Sequence, residues 1–547
     1  MPANDFPHLE ILAIERGEAR LEGGGDTSEV VRENKANRRR HAYSLSGSLQ
    51  RLTEFARQTQ RYRADENLPE IREGVPFVLQ VSESDEELLF FLSDKLGVEV
   101  VAEDEEGFIL VASKDIEAKS FQQVVEEFVQ KKRGGARAAN ILQVIPESDS
   151  EQRLKRILPE NLREQWPFQD DQIYTLEVSI KSATAEKLPT LRRRRNNENS
   201  RKYNARAAEW RGRVEQLMAE VEDERIDRES VIEEFVAAYQ GEFLTGFVDN
   251  DREHSQFAEL SDSFSTRIRM SGRGFKDLIL NFPYVFEATL PDEFEQPGLE
   301  NGEPAAEGAD LRPPAAEAPA VCIVDSGIQE GHIFLAAAID SPQSRCFLPG
   351  VDPADVADYV ANGGHGTRVA GVALYGDSNP LSGMDAPFWL QNARFLDDQG
   401  WIPIAVFPPL ALREIVAHFR HGPRRTRIFN HSVAGTRACW RRRMSTWAAE
   451  IDRLSEAEDV LFIQAIGNVE ANGFGGNNPT IADHLSAGRA YPDYLREPSA
   501  MLANPAQSLQ AITVGSLALG QFANGDLSSL AQGLADPSGF SRTGLGL

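Results

Sequence analysis

Three short strings in the last 230 or so residues carry side chains able to do acid–base chemistry. Val321–Gly327 reads V-C-I-V-D-S-G, Gly363–Gly371 reads G-G-H-G-T-R-V-A-G, and Ala465–Asn468 reads A-I-G-N. Asp325 ends an apolar run, so a buried parallel strand would deliver its carboxylate to the carboxyl edge of a sheet, where open α/β folds bind ligands. A carboxylate there can orient a histidine and stabilise its protonated form. His365 is flanked by Gly364 and Gly366, which let the backbone turn and approach its neighbours closely. An imidazole fixed at a helix start suits general-base work, since it titrates near neutrality. The side-chain amide of Asn468 can donate to an oxyanion. Taken singly, each has a plainer reading: a strand-ending turn aspartate, a structural histidine, a turn asparagine beside glycine.

In this order the strings resemble the aspartate, histidine and oxyanion-asparagine motifs of subtilisin-like serine peptidases, the subtilases. Arg427–Gly435 (R-I-F-N-H-S-V-A-G), Gln391–Gly400, Ala511–Ser516 and Ser538–Gly544 also resemble family segments. The resemblance covers roughly residues 320–547. It implies Asp325 and His365 as two members of a catalytic triad and Asn468 as the oxyanion donor. Ser432, Val433, Ala434 and Gly435, with Gly467, would form a backbone-binding edge that adds an extended peptide as a strand. The implied activity is endopeptidase hydrolysis of polypeptide substrates, with no cofactor and no metal.

The family's nucleophile lies in a G-T-S-x-A/G string, and none occurs after Asn468. Ser529, Ser538 and Ser541 are the late serines, and Ser541 falls in the segment preceding that motif. The expectation is a chain cut before its serine and inactive as it stands, with the nucleophile beyond Leu547. The alternative is a natural pseudoprotease or peptide-binding regulatory protein using the same cleft.

These residues need a frame. From Val321 onward, short apolar strands (321–324, 427–430, 460–465, 511–514) alternate with helical segments (410–420, 448–457). That texture predicts a doubly wound parallel sheet covered on both faces, of subtilisin-like type. Upstream, residues 76–131 read as a small α/β unit behind an amphipathic helix at 42–62, with a boundary at Gly134–Gly135. A second α+β unit follows over 136–291: a strand at 173–180, charged helical sequence from 187 to about 239, then strand, helix and strand over 264–290. The expected division is therefore 1–135, 136–291, a Pro/Ala/Glu linker at 292–318, and the peptidase domain at 319–547. The pattern at 264–290, just before the linker, has the shape of a subtilase inhibitory prodomain able to pass its tail through the cleft; a regulatory or substrate-recruiting unit is the other reading.

Composition limits the partners. The 547 residues are 41% hydrophobic and 26% charged, with a formal charge of −27. That balance fits a folded chain and disfavours broad binding to nucleic acid or anionic membrane. The basic cluster Arg192–Arg195, with Arg201, Lys202 and Arg206, is followed by acidic sequence at 220–224 and reads as a solvated helical face. His418 and His421, one turn apart, have no third ligand nearby and also read as a solvent face. Three cysteines (Cys322, Cys346, Cys439) make no disulfide framework. With no export signal and no spanning segment evident, the expected compartment is the cytoplasm. Among cytosolic relatives with long N-terminal extensions, AAA-type ATPases are frequent partners, which the resemblance carries here as an expectation.

Overall fold

The computed structural model describes residues 29–544 apart from 72–73, 83–84, 105–106, 114, 147–149, 184–188, 190, 192–198, 247–255, 293–310, 362–363, 377–383, 440–442, 472–478, 519–522, 525–526, 529, 532 and 534–535. Arg192–Arg195, most of the expected linker, Gly363 and Ser529 thus lie outside the described residues.

A six-stranded, all-parallel sheet forms the C-terminal part. Its strand order is Arg345–Cys346, Trp389–Arg394, Ala320–Asp325, Ile428–His431, Leu461–Ala465 and Ile512–Val514. The chain starts in Ala320–Asp325, runs to the edge strand Arg345–Cys346, returns to fill the gap with Trp389–Arg394, then crosses over to build outward on the other side. This strand therefore sits at the topological switch point, and its carboxyl end opens into the ligand-binding crevice of such sheets. Its side chains alternate: Cys322 and Val324 pack with Ile415, Val416 and Phe419 of helix Pro408–Arg420 and with Ile451 of helix Thr446–Glu458. Ile323 packs on the opposite face with Ala370 and Leu374 of helix His365–Tyr375. Both faces are covered, which is why the run is continuously apolar.

The N-terminal region holds two antiparallel sheets. The first has the order Val98–Asp104, Phe108–Ser113, Val75–Val81, Ile141–Pro146. Along Val75–Val81 the period-2 alternation sends Phe77 and Leu79 against helices Arg38–Asp65 and Lys119–Val129. Val78 points the other way, into a core with Phe168, Leu176, Phe235, Phe264 and Phe275. That second core belongs to the sheet of Ile173–Lys181, Ser263–Ser271, Val285–Thr289 and Glu242–Phe243, covered by the 39-residue helix Ser200–Ala238 and helix Gly272–Asn281. The two N-terminal sheets share this core, and Ile141–Pro146, which follows Gly134–Gly135, is an edge strand of the first. At the end of the linker, Leu311–Arg312 pairs in parallel with Met384–Asp385. Among the described residues no helix is long and apolar enough to cross a membrane.

Candidate active site

Asp325 is fully buried at the end of its strand. Its Oδ1 accepts from Ser326 N–H at 2.7 Å and lies 2.7 Å from Nδ1 of His365. A carboxylate only accepts, so Nδ1 carries the proton and Nε2 is left as the acceptor, the tautomer a general base requires. Burial disfavours the imidazolium, but the charge and hydrogen bond of Asp325, with Asp358 behind it, outweigh burial and raise the His365 pKa above its ordinary value. The ring remains 23% exposed, so it can be reached from outside.

His365 is the first residue of helix His365–Tyr375, and a buried carboxylate that no motif signalled fixes that helix start. Asp358 Oδ2 accepts from Thr367 N–H at 2.9 Å and from Thr367 Oγ1 at 2.8 Å. Ser326 Oγ donates to Asp358 Oδ1 at 2.9 Å and accepts from Gly366 N–H at 2.9 Å. The anion at the helix N-terminus thus satisfies donors that the helix cannot, in a favourable dipole position. Gly364 has φ +80°, and a Cβ there would collide with the Asp358 carboxylate; one on Gly366 would collide with Gly327 O. The two glycines that flank the histidine are required by this packing.

Asn468 follows strand Leu461–Ala465, two strands along the same edge from Asp325, and is exposed. Its backbone carbonyl is held at 2.8 Å by the buried guanidinium of Arg542, which also donates to the carbonyls of Ser499, Met501 and Thr436. Arg542 joins the segment after Gly435 to the Gly467–Asn468 loop, a role with no motif behind it. Ser432 is half-buried and donates to Asn430 Oδ1 at 2.9 Å; Val433 is buried, and its carbonyl accepts from Gln464 Nε2 at 2.8 Å. A Cβ on Gly467 would sit 3.4 Å from that of Ala434, and Gly435 N–H donates to Asn504 O at 2.8 Å. The structure therefore brings Asp325 to His365, and Ser432–Gly435 to Gly467, all at one edge of one sheet.

Among the described residues no hydroxyl or thiol is hydrogen-bonded to His365 Nε2. Ser541 Oγ accepts from Ser516 N–H at 3.0 Å and donates to Arg542 O at 3.1 Å, a loop-fixing role. His418 differs from the expected solvent face: it packs on Phe347 and Phe419, with Nε2 2.9 Å from Gln343 O, while His421 is exposed beside Glu458. Among the described residues no cluster of three metal-ligating side chains forms.

The subtilase family model matches residues 316–545. Residues 316–545 are a subtilase-family domain. The protein y4bN of Sinorhizobium fredii is 33% identical over 111 residues, 19% of this chain and 24% of that protein, so the chain matches about a quarter of this curated relative. Among solved structures, the epidermin leader peptide processing serine protease of Staphylococcus aureus is similar at 12% identity and TM-score 0.33, over 63% of this chain and 70% of that one. MycP1 of Mycobacterium smegmatis is similar at 18% identity and TM-score 0.25, over 42% and 56%.

Proposed function

We infer that the subtilase domain works as a serine endopeptidase on polypeptides, with Asp325 orienting His365 as the general base. The observation that carries this is the 2.7 Å contact between the buried Asp325 carboxylate and His365 Nδ1 at the sheet's switch point. The serine comes, in this reading, from polypeptide outside residues 1–547. His365 Nε2 takes the serine proton as the hydroxyl oxygen adds to the scissile carbonyl, and passes it to the leaving amine as the C–N bond breaks. The Asn468 amide and a backbone N–H hold the oxyanion in between. Water then repeats the sequence to release the acid and restore the serine. The edge Ser432–Gly435 would hold the peptide as an added strand.

The N-terminal units fit a covering role in this scheme. Arg267, paired with Glu177, donates to Ile404 O at 2.9 Å and Val406 O at 2.6 Å, and Thr446 Oγ1 donates to Ser265 Oγ at 2.8 Å. The segment after strand Val285–Thr289 then reaches Gly435 through Asp292. This arrangement supports the prodomain-like reading of residues 136–291.

The test is turnover of an unfolded protein substrate by the natural gene product and by residues 1–547. Hydrolysis by the first and only trace turnover by the second is expected. Clear hydrolysis by residues 1–547 that is lost on Ser541→Ala would overturn the assignment of the nucleophile. An intact fold with no hydrolysis by either would favour a peptide-binding protein using the same cleft.

A further inference from the structure

Between the N-terminal units and the subtilase domain lies a cavity of about 640 Å³. Glu177, Glu287 and Asp292 line it from the N-terminal side, and Arg437, Arg443 and Asn504 from the subtilase domain. Asp292 Oδ2 accepts from Asn504 Nδ2 at 2.5 Å. Its Oδ1 lies over Gly435, where a Cβ would come within 2.8 Å, so any larger residue at 435 would evict the carboxylate. Asn504 O in turn receives Gly435 N–H. The Asp292 carboxylate is thus seated on the cleft edge itself. Close by, the Arg443 guanidinium donates to Phe286 O and lies 5.1 Å from the centre of the Phe286 ring, one residue before the buried Glu287.

We propose that Asn504, Arg437 and Arg443 form a subsite of the peptide cleft that takes an acidic side chain, and that Asp292, with Glu287 beside it, fills this subsite as a built-in substrate mimic. The proposal rests on the peptide-cleft reading above and gives it a substrate class: polypeptides with an acidic residue at this subsite.

The electrostatics divide between the two sides of the cavity. The Asp292 pKa is raised to about 7 by burial and then by Glu177, against Asn504, Arg267 and Arg437, which favour the carboxylate. Glu287 is raised to about 7 by burial against Arg443, with Glu177 adding to the rise and Ser179 opposing it. Every subtilase-domain group acting on these two carboxyls favours the charged form. Glu177 and the covering surface belong to the N-terminal units. A separate peptide in the same seat meets Asn504, Arg437 and Arg443 without Glu177. A lysine there would face two guanidinium groups, and an amide would gain nothing from them.

The test uses the full chain carrying E177Q, E287A and D292A, so that Glu177 no longer opposes a carboxylate in the cavity, and three fluorescein-labelled peptides. One has the sequence of residues 286–293 (Phe-Glu-Ala-Thr-Leu-Pro-Asp-Glu); the others carry Asn or Lys in place of its Asp. The Asp peptide should bind about tenfold tighter than the Asn peptide, the scale of one charge-assisted hydrogen bond, and the Lys peptide should bind weakest. Adding R437E to the acceptor should reverse the order in favour of Lys, and R437Q should abolish the preference. Equal binding of all three peptides would overturn the acidic subsite and leave the peptide cleft standing. No binding of any peptide to a folded acceptor would overturn both. In the chain's own tail, D292K should speed amide exchange at Gly435 and the pair D292K/R437E should restore protection; absence of rescue also overturns the proposal.

Discussion

Ser326 Oγ is 2.9 Å from Asp358 Oδ1, a buried contact across 32 residues that ties the strand carrying Asp325 to the turn that starts the helix of His365. The same hydroxyl accepts from Gly366 N–H, so one oxygen couples both catalytic strings. The Ser326→Ala variant leaves a buried carboxylate oxygen and a buried amide each short of a partner. A loss of about 1–3 kcal/mol is expected, read as a drop in the thermal midpoint. An unchanged midpoint would show that the contact does not hold the site together.

His365 should titrate above the ordinary imidazole value. Burial opposes this, and Asp325 overrides it by charge and hydrogen bond, with Asp358 adding to the rise. Because the folded-state pKa is raised, the pair's contribution to stability is complete below about pH 6.5 and is lost as pH rises through the folded value. NMR titration of the His365 ring in residues 1–547 reads the pKa directly, and Asp325→Asn should lower it. In the natural gene product the acid limb of kcat/KM should follow the same pKa, and D325N should lower kcat by about 10⁴-fold, as in other triads that lose their tautomer control. A His365 pKa unmoved by D325N would contradict the pairing.

The seating of the N-terminal tail should weaken with rising pH. Glu287 and Asp292 are each raised to about 7 when docked, with Glu177, Arg267, Arg437 and Arg443 as the charged groups acting on them. A released tail would titrate near about pH 4. Between those limits the docked state holds more protons, so docking is favoured at low pH, weakens as pH rises above about 4, and the loss is complete only once pH has risen through about 7. Amide exchange at Gly435, corrected for intrinsic rate, should be slower at pH 5.5 than at pH 7.5, and E287Q/D292N should flatten the difference. Equal protection at both values would contradict this.

What could be read before the structure was the part encoded in local strings. A continuous apolar run ending in Asp325 marks a doubly covered strand and its edge, and the glycines around His365 mark a close approach, now explained by Asp358 and Gly327 O. Asp358 itself was not legible. It lies in A-D-V-A-D-Y-V, among residues with no periodic pattern, and acquires its role only when 358 is brought beside 326 and 367. Arg542 was hidden for the same reason, since its partners are backbone carbonyls distant in sequence. The edge strand Ile141–Pro146 and the core shared by the two N-terminal sheets also depend on long-range pairing, which a local window does not carry.

The central claim is that Asp325 and His365 activate a serine that residues 1–547 do not supply. A fluorophosphonate probe, which bonds to activated serines, tests it most directly. Applied to the natural gene product and located by peptide mass mapping, it should give one adduct on a serine outside residues 1–547, lost in H365A and absent from residues 1–547 alone. An adduct on Ser541 or another serine of this chain, or a folded natural gene product that takes no label, would contradict the account.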